Sequence, residues 1–181
     1  MQITGTSMKL FVPSPGHINS LKELLIAKDK IYSIFMAGSP DYIGTGRSNL
    51  ASPQLDEIAS QTEFAHKNGV KMELVLNSSC MGGRQLTPEG FRINHWYIEQ
   101  LVNMGVDSIV VADPYLVETI ARDFDDVMVV VSVLAFVDSP QKAEMFVELG
   151  ADSIVIDSNV NVILTCSMPS VTQLTANSNC L

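Results

Sequence analysis

Positive charge is scarce in this chain. Lys and Arg together number 11 against 20 Asp and Glu, a net charge of −9 over 181 residues. No basic run occurs anywhere. That excludes an autonomous nucleic-acid binder, because phosphate contacts need clustered cations; an RNA substrate would call for a basic partner. Cysteine is scarce as well. Cys80, Cys166 and Cys180 are odd in number and widely spaced, so no disulfide framework is implied and a reducing cytoplasm is the expected location. The chain lacks a long apolar run: the longest, Val127 to Val137, is too short to cross a bilayer. The basic-then-apolar opening of a signal peptide is missing too. So is His-Glu-x-x-His, the signature of a helical zinc peptidase.

Charged residues of both signs make up only 17% of the chain while hydrophobic residues make up 46%, a balance that suits strands buried on both faces. Apolar runs alternate with helix-like stretches six times. One junction repeats almost verbatim: Gly105-Val106-Asp107-Ser108-Ile109-Val110-Val111 returns as Gly150-Ala151-Asp152-Ser153-Ile154-Val155-Ile156. Gly69-Val70-Lys71-Met72-Glu73-Leu74-Val75 is a fainter copy. Each Gly closes a helical pattern, where a left-handed C′ residue is wanted, and a β-branched run follows. The pattern predicts β/α units with function at the carboxyl ends of the strands.

Strands are expected at about 9–13, 32–37, 71–76, 108–111, 128–133 and 153–156. Helices are expected between them, with Ser52-Pro53, Thr87-Pro88 and Ser139-Pro140 as N-cap and N1 pairs. After residue 161 no full helix is readable, and 171–176 suits a seventh strand. A complete barrel takes about 250 residues. The expected fold is therefore an α/β partial TIM-type (β/α) barrel of six to seven parallel strands. Residues 1–7 form a leader, 8–161 the barrel segment, and 162–181 an atypical tail. An open doubly wound sheet is the runner-up, although Ser14-Pro15-Gly16-His17 is not the Gly-rich phosphate turn that such a sheet would carry. An open barrel edge implies a homo-oligomer or a partner subunit. No membrane association is expected.

The order of strand-end features resembles the collagenase-like peptidase family of unassigned catalytic type, peptidase family U32. The residues that carry the likeness are Pro13-Ser14-Pro15-Gly16-His17-Ile18-Asn19, Gly44-Thr45-Gly46-Arg47, Asn77, Asp113, Ser132, Asp157-Ser158-Asn159-Val160-Asn161 and Asn177-Ser178-Asn179-Cys180-Leu181. No one of these motifs is specific; their order and spacing carry the resemblance, over residues 8–161 and again over 171–181. The resemblance implies a barrel that cleaves or modifies a small anionic or peptide substrate. It also implies an alternative, a non-catalytic or partner-dependent subunit of an oxygen-independent hydroxylation system that uses an iron–sulfur cluster. Such a cluster wants four thiolates, and this chain has three. A third reading is a phosphate-binding barrel of aldolase type; against it, no Lys ends a strand to form a Schiff base.

Candidate residues follow from their position after strands. Asp113, His17 and Asp157 are the candidates for proton transfer, Arg47, Asn77 and Asn159 for substrate binding, and Cys80 and Cys180 for a metal. Each has a plainer reading. Asp113 and Asp157 suit caps of the following turns, His17 suits an exposed first-turn position, Arg47 a surface cation, and the cysteines small free thiols. His66 and His95 fall on helices and are expected away from the strand-end face.

Overall fold

The structure, a computed structural model, describes residues 9–46 and 53–157. The leader, Arg47, Asn159, Cys166, Cys180 and the proposed seventh strand lie outside the described residues.

Six strands appear in chain order. They are β1 (Leu10–Pro13), β2 (Ile31–Ala37), β3 (Lys71–Leu76), β4 (Ser108–Val111), β5 (Met128–Val131) and β6 (Ser153–Ile154). Five helices separate them: α1 (Ile18–Leu24), α2 (Leu55–Lys67), α3 (Pro88–Asn103), α4 (Pro114–Asp123) and α5 (Pro140–Glu148). Every neighbouring pair is parallel, and the spatial order is β1-β2-β3-β4-β5-β6. A doubly wound sheet would reverse direction about its first strand. The sequential order marks a curled half-barrel instead.

The repeated junction builds the same device three times. Gly69, Gly105 and Gly150 have φ of +73°, +81° and +96°. In each case the Gly N–H bonds the carbonyl three residues back, and the next N–H bonds the carbonyl five residues back, as in Gly105 to Val102 and Val106 to Leu101. This Schellman closure satisfies helix-end carbonyls and turns the chain into the next strand. The acid two residues after the Gly has its own task. Asp107 Oδ2 accepts from Met72 N at 2.8 Å, and Asp152 Oδ2 accepts from Val129 N at 2.8 Å. The two aspartates return a backbone bond to the same residues, from Asp107 N to Met72 O and from Asp152 N to Val129 O. The repeated Asp thus clamps the amino end of the preceding strand and fixes register.

Within strands the period of two divides the side chains cleanly. Met72, Leu74 and Leu76 of β3, Ile109 and Val111 of β4, and Val129 and Val131 of β5 face the helices and are at most 1% exposed. They meet Ile58 and Ala65 of α2, Tyr97, Ile98 and Leu101 of α3, and Leu116, Val117 and Ile120 of α4. Each large aliphatic side chain buried there stabilises the fold by about 1.5–3 kcal/mol. The alternate residues face the concave side.

Several boundaries shift by one or two residues, β6 for one ending at Ile154, and two of the shifts have a local cause. Helix α2 does not start at Ser52-Pro53. Gln54 caps it in a capping box, with Gln54 N donating to Glu57 Oε2 at 3.0 Å. Strand β5 ends at Val131 because the Ser132 hydroxyl accepts from Leu134 N at 3.2 Å and turns the chain into a short 3₁₀ segment.

Candidate functional site

Because the outer face of the sheet is sealed by helices, the open surface is the concave one. It forms a trough of about 210 Å³. The wall contains Phe35, Val75, Val110, Val130 and Val155; the carboxyl end is rimmed by Thr45, Asn77, Ser132 and Val133, and the amino end holds Lys71, Glu73, Ser108 and Ser153.

Asn77 is the centre of the rim. It follows β3, is 9% exposed, and joins loops after three different strands. Its Oδ1 accepts from Thr45 Oγ1 at 2.9 Å and from Gly46 N at 3.1 Å. Its Nδ2 donates to Ser132 Oγ at 2.8 Å. A backbone N–H can only donate, so the Gly46 contact fixes which amide atom is oxygen. Both lone pairs of Oδ1 are used and one N–H of the amide remains. Asn77 therefore holds the loop after β2 against the turn after β5, and its spare N–H is what it can offer a ligand.

The other strand-end candidates are arranged differently. Asp113 is the N-cap of α4: Oδ1 accepts from Tyr115 N at 2.9 Å, and Oδ2 accepts from Gln85 Nε2 at 2.9 Å. Gln85 Oε1 is buried beside this pair without a partner. Asp157 is buried at the exit of β6, where its N–H donates to Val137 O at 3.0 Å. His17 is exposed at the start of α1, and its side chain makes no capping bond. Cys80 is an exposed free thiol in the loop after β3. All four follow strands at their carboxyl ends, but of the described candidates only Asn77 lines the trough. His66 and His95 stand off this face, as expected from their helices. His66 Nε2 lies 2.7 Å from Asp107 Oδ2, and His95 Nε2 lies 3.5 Å from Asp123 Oδ2.

Cys80 tests the fit of an iron–sulfur cluster. Among the described residues it is the one cysteine, and no group of three His, Cys, Asp or Glu is placed to share a metal. The described residues by themselves do not form a cluster site.

Sequence reasoning passed over the amino half of the trough. Glu73 is 8% exposed, on the inward face of β3. Burial pushes its carboxyl above the ordinary Glu range; the neighbouring hydroxyls of Ser33 and Ser108 and the charge of Lys71 oppose the shift, while Asp107 adds to it. Ser33 Oγ is near enough to act on Glu73 but makes no well-formed hydrogen bond. The missed signal was an acid within an apolar strand, Met72-Glu73-Leu74-Val75.

A half-barrel of parallel strands in sequential order, with helices on its outer face, defines the TIM-type (β/α) class. The particular family is shown by comparison: the family model for Peptidase family U32 matches residues 28–174, and the chain belongs to that family. It is 37% identical over 155 residues to an uncharacterized protease, MJ1657, of Methanocaldococcus jannaschii. That match covers 86% of this chain and 45% of the relative, so the chain spans under half the length of that relative. The solved U32 peptidase Mk0906 superposes with a TM-score of 0.72 at 28% identity, over 89% of this chain and 63% of the other. A protein of Burkholderia cenocepacia J2315, provisionally assigned as a phosphonomutase, aligns with a TM-score of 0.57 at 14% identity, over 85% of this chain and 64% of the other. At that identity the likeness is one of fold alone.

Proposed function

We propose that the strand-end mouth binds a small anionic or peptide substrate, and that the protein built on this half-barrel cleaves or otherwise modifies it. The observation that supports this reading is the Asn77 network. Three loops are drawn together by a buried amide at the end of the sheet where such barrels bind ligands. Buried polar networks of this kind cost stability unless every member is satisfied, so they suit a place where geometry must be held. Family membership favours peptide chemistry. In this reading Asn77 is a positioning residue. Arg47, next in the chain after the anchored Gly46, supplies the cation for an anionic group, Asn159 supplies hydrogen bonds, and Asp113, His17 and Asp157 handle protons.

The test is to incubate the protein with gelatin-derived peptides and read the products by mass spectrometry. Hydrolysis adds one water across two fragments; hydroxylation adds one oxygen to an intact peptide. Asp113→Asn keeps a good N-cap residue, so the fold should survive. Turnover should fall at least tenfold with little change in melting temperature. Unchanged turnover in Asp113→Asn would leave that carboxylate as a cap alone.

A further inference from the structure

The lower half of the trough holds a carboxyl that the mouth network does not use. Glu73 sits on the inward face of β3, in register between Phe35 of β2 and Ser108 of β4. Ser33, two residues before Phe35, is completely buried, and its hydroxyl stands close enough to Glu73 to lower its pKa. A register shift between Leu10 and Phe11 marks a bulge where β1 meets β2, and Tyr32 lines the trough beside it. Lys71 shares Glu73's face but is drawn toward Tyr32: Nζ lies 3.4 Å from the hydroxyl and 5.2 Å from the ring centroid. Its charge lowers the Glu73 pKa by less than burial raises it. Asp107, the other acid lining the trough, is committed to Met72 N and His66. Phe35 flanks Glu73 at its own level, and the walls above are Val75, Val110 and Val130. An apolar sleeve thus ends in an acid whose neighbouring hydroxyls and Lys71 only partly offset its burial. An acid in an apolar setting is matched by a cation that brings its own apolar stem.

We propose that the lower trough binds a primary ammonium group on a short alkyl stem, as in a lysine side chain, with Glu73 as counter-ion and Ser108 accepting a hydrogen bond. The volume of about 210 Å³ suits a group of this size and not a drug-sized ligand. The assignment rests on the reading of the mouth as a peptide site and deepens it: a substrate held at the rim would lower a lysine-like side chain between the valines.

The experiment uses the full chain and n-butylammonium, with n-butanol and n-butyrate as probes of the same stem. Calorimetric titration should show saturable binding of n-butylammonium only, weakened at least tenfold by Glu73→Gln. Val130→Phe fills the sleeve without touching the carboxyl and should weaken binding as well, so the result does not depend on one variant. Equal binding to wild type and Glu73→Gln, preference for n-butyrate, or no binding would overturn the proposal. Peptide turnover separates the two readings. Cleavage without n-butylammonium binding refutes the lower site alone, and n-butylammonium binding without any peptide turnover counts against the mouth alone.

Discussion

At the scale of single residues, Asn77 and Glu73 make opposite demands on the fold. Asn77 is satisfied on both lone pairs of its oxygen, so removing it orphans donors it now engages. Asn77→Ala strands Gly46 N–H and the Thr45 hydroxyl. Each buried group left unmet costs about 1–3 kcal/mol; water can reach part of this rim, so chemical denaturation should show a loss of about 2 kcal/mol. Glu73 works the other way. Its folded pKa is raised by burial, so the folded state holds the proton more tightly than the unfolded chain does. Stability from this group is full below the ordinary Glu value and is lost as pH rises through the raised one. Glu73→Gln should therefore be the more stable protein at neutral pH and should lose this part of the pH dependence, measured by thermal unfolding between acid and neutral buffers. A wild type whose stability rises across that window relative to the variant would contradict the assignment. Asn77 was legible because a polar residue closing an apolar strand stands out. Glu73, Ser33 and Ser108 were not, because a strand that is apolar on both faces hides which of its residues look inward. Ser132 was visible only as part of a family likeness, with no role attached.

At the scale of elements, the junctions do the organising. Gly150 has φ of +96°, and a Cβ added there would lie 2.5 Å from Ala121 Cβ. Left-handed backbone costs an L-residue about 1–2 kcal/mol before any clash. Gly150→Ala should therefore lower stability by at least about 1 kcal/mol in denaturant titration. Asp152→Ala removes the acceptor from Val129 N and should cost about 1–3 kcal/mol. It should also speed amide exchange at Val129 while leaving the rim unchanged. Six strands could be placed from the sequence to within about two residues of their observed ends, since Gly-capped junctions and β-branched runs are local signals. Two of the shifts came where side chains compete locally with the regular element. Gln54 is an uncommon cap, and its partnership with Glu57 moved the start of α2 past Pro53. The Ser132 hydroxyl shortened β5 by bonding Leu134 N.

At the scale of the whole molecule, the described sheet has an open concave face and edge strands at β1 and β6. Leu10 and Phe11 on β1 are 47% and 38% exposed. Apolar side chains on an unpaired edge favour association, so light scattering should find a homo-oligomer or a complex with a partner subunit; a clean monomer at high concentration would count against this. Among the described residues no helix is long and apolar enough to cross a membrane. The central claim is that ligand binding belongs to the rim organised by Asn77. Amide chemical-shift mapping during titration with gelatin-derived peptides tests it most directly. The account predicts the largest shifts at Thr45, Gly46, Asn77, Ser132 and Val133. Shifts confined to the outer faces of α2 and α3, with those five amides unmoved, would contradict it.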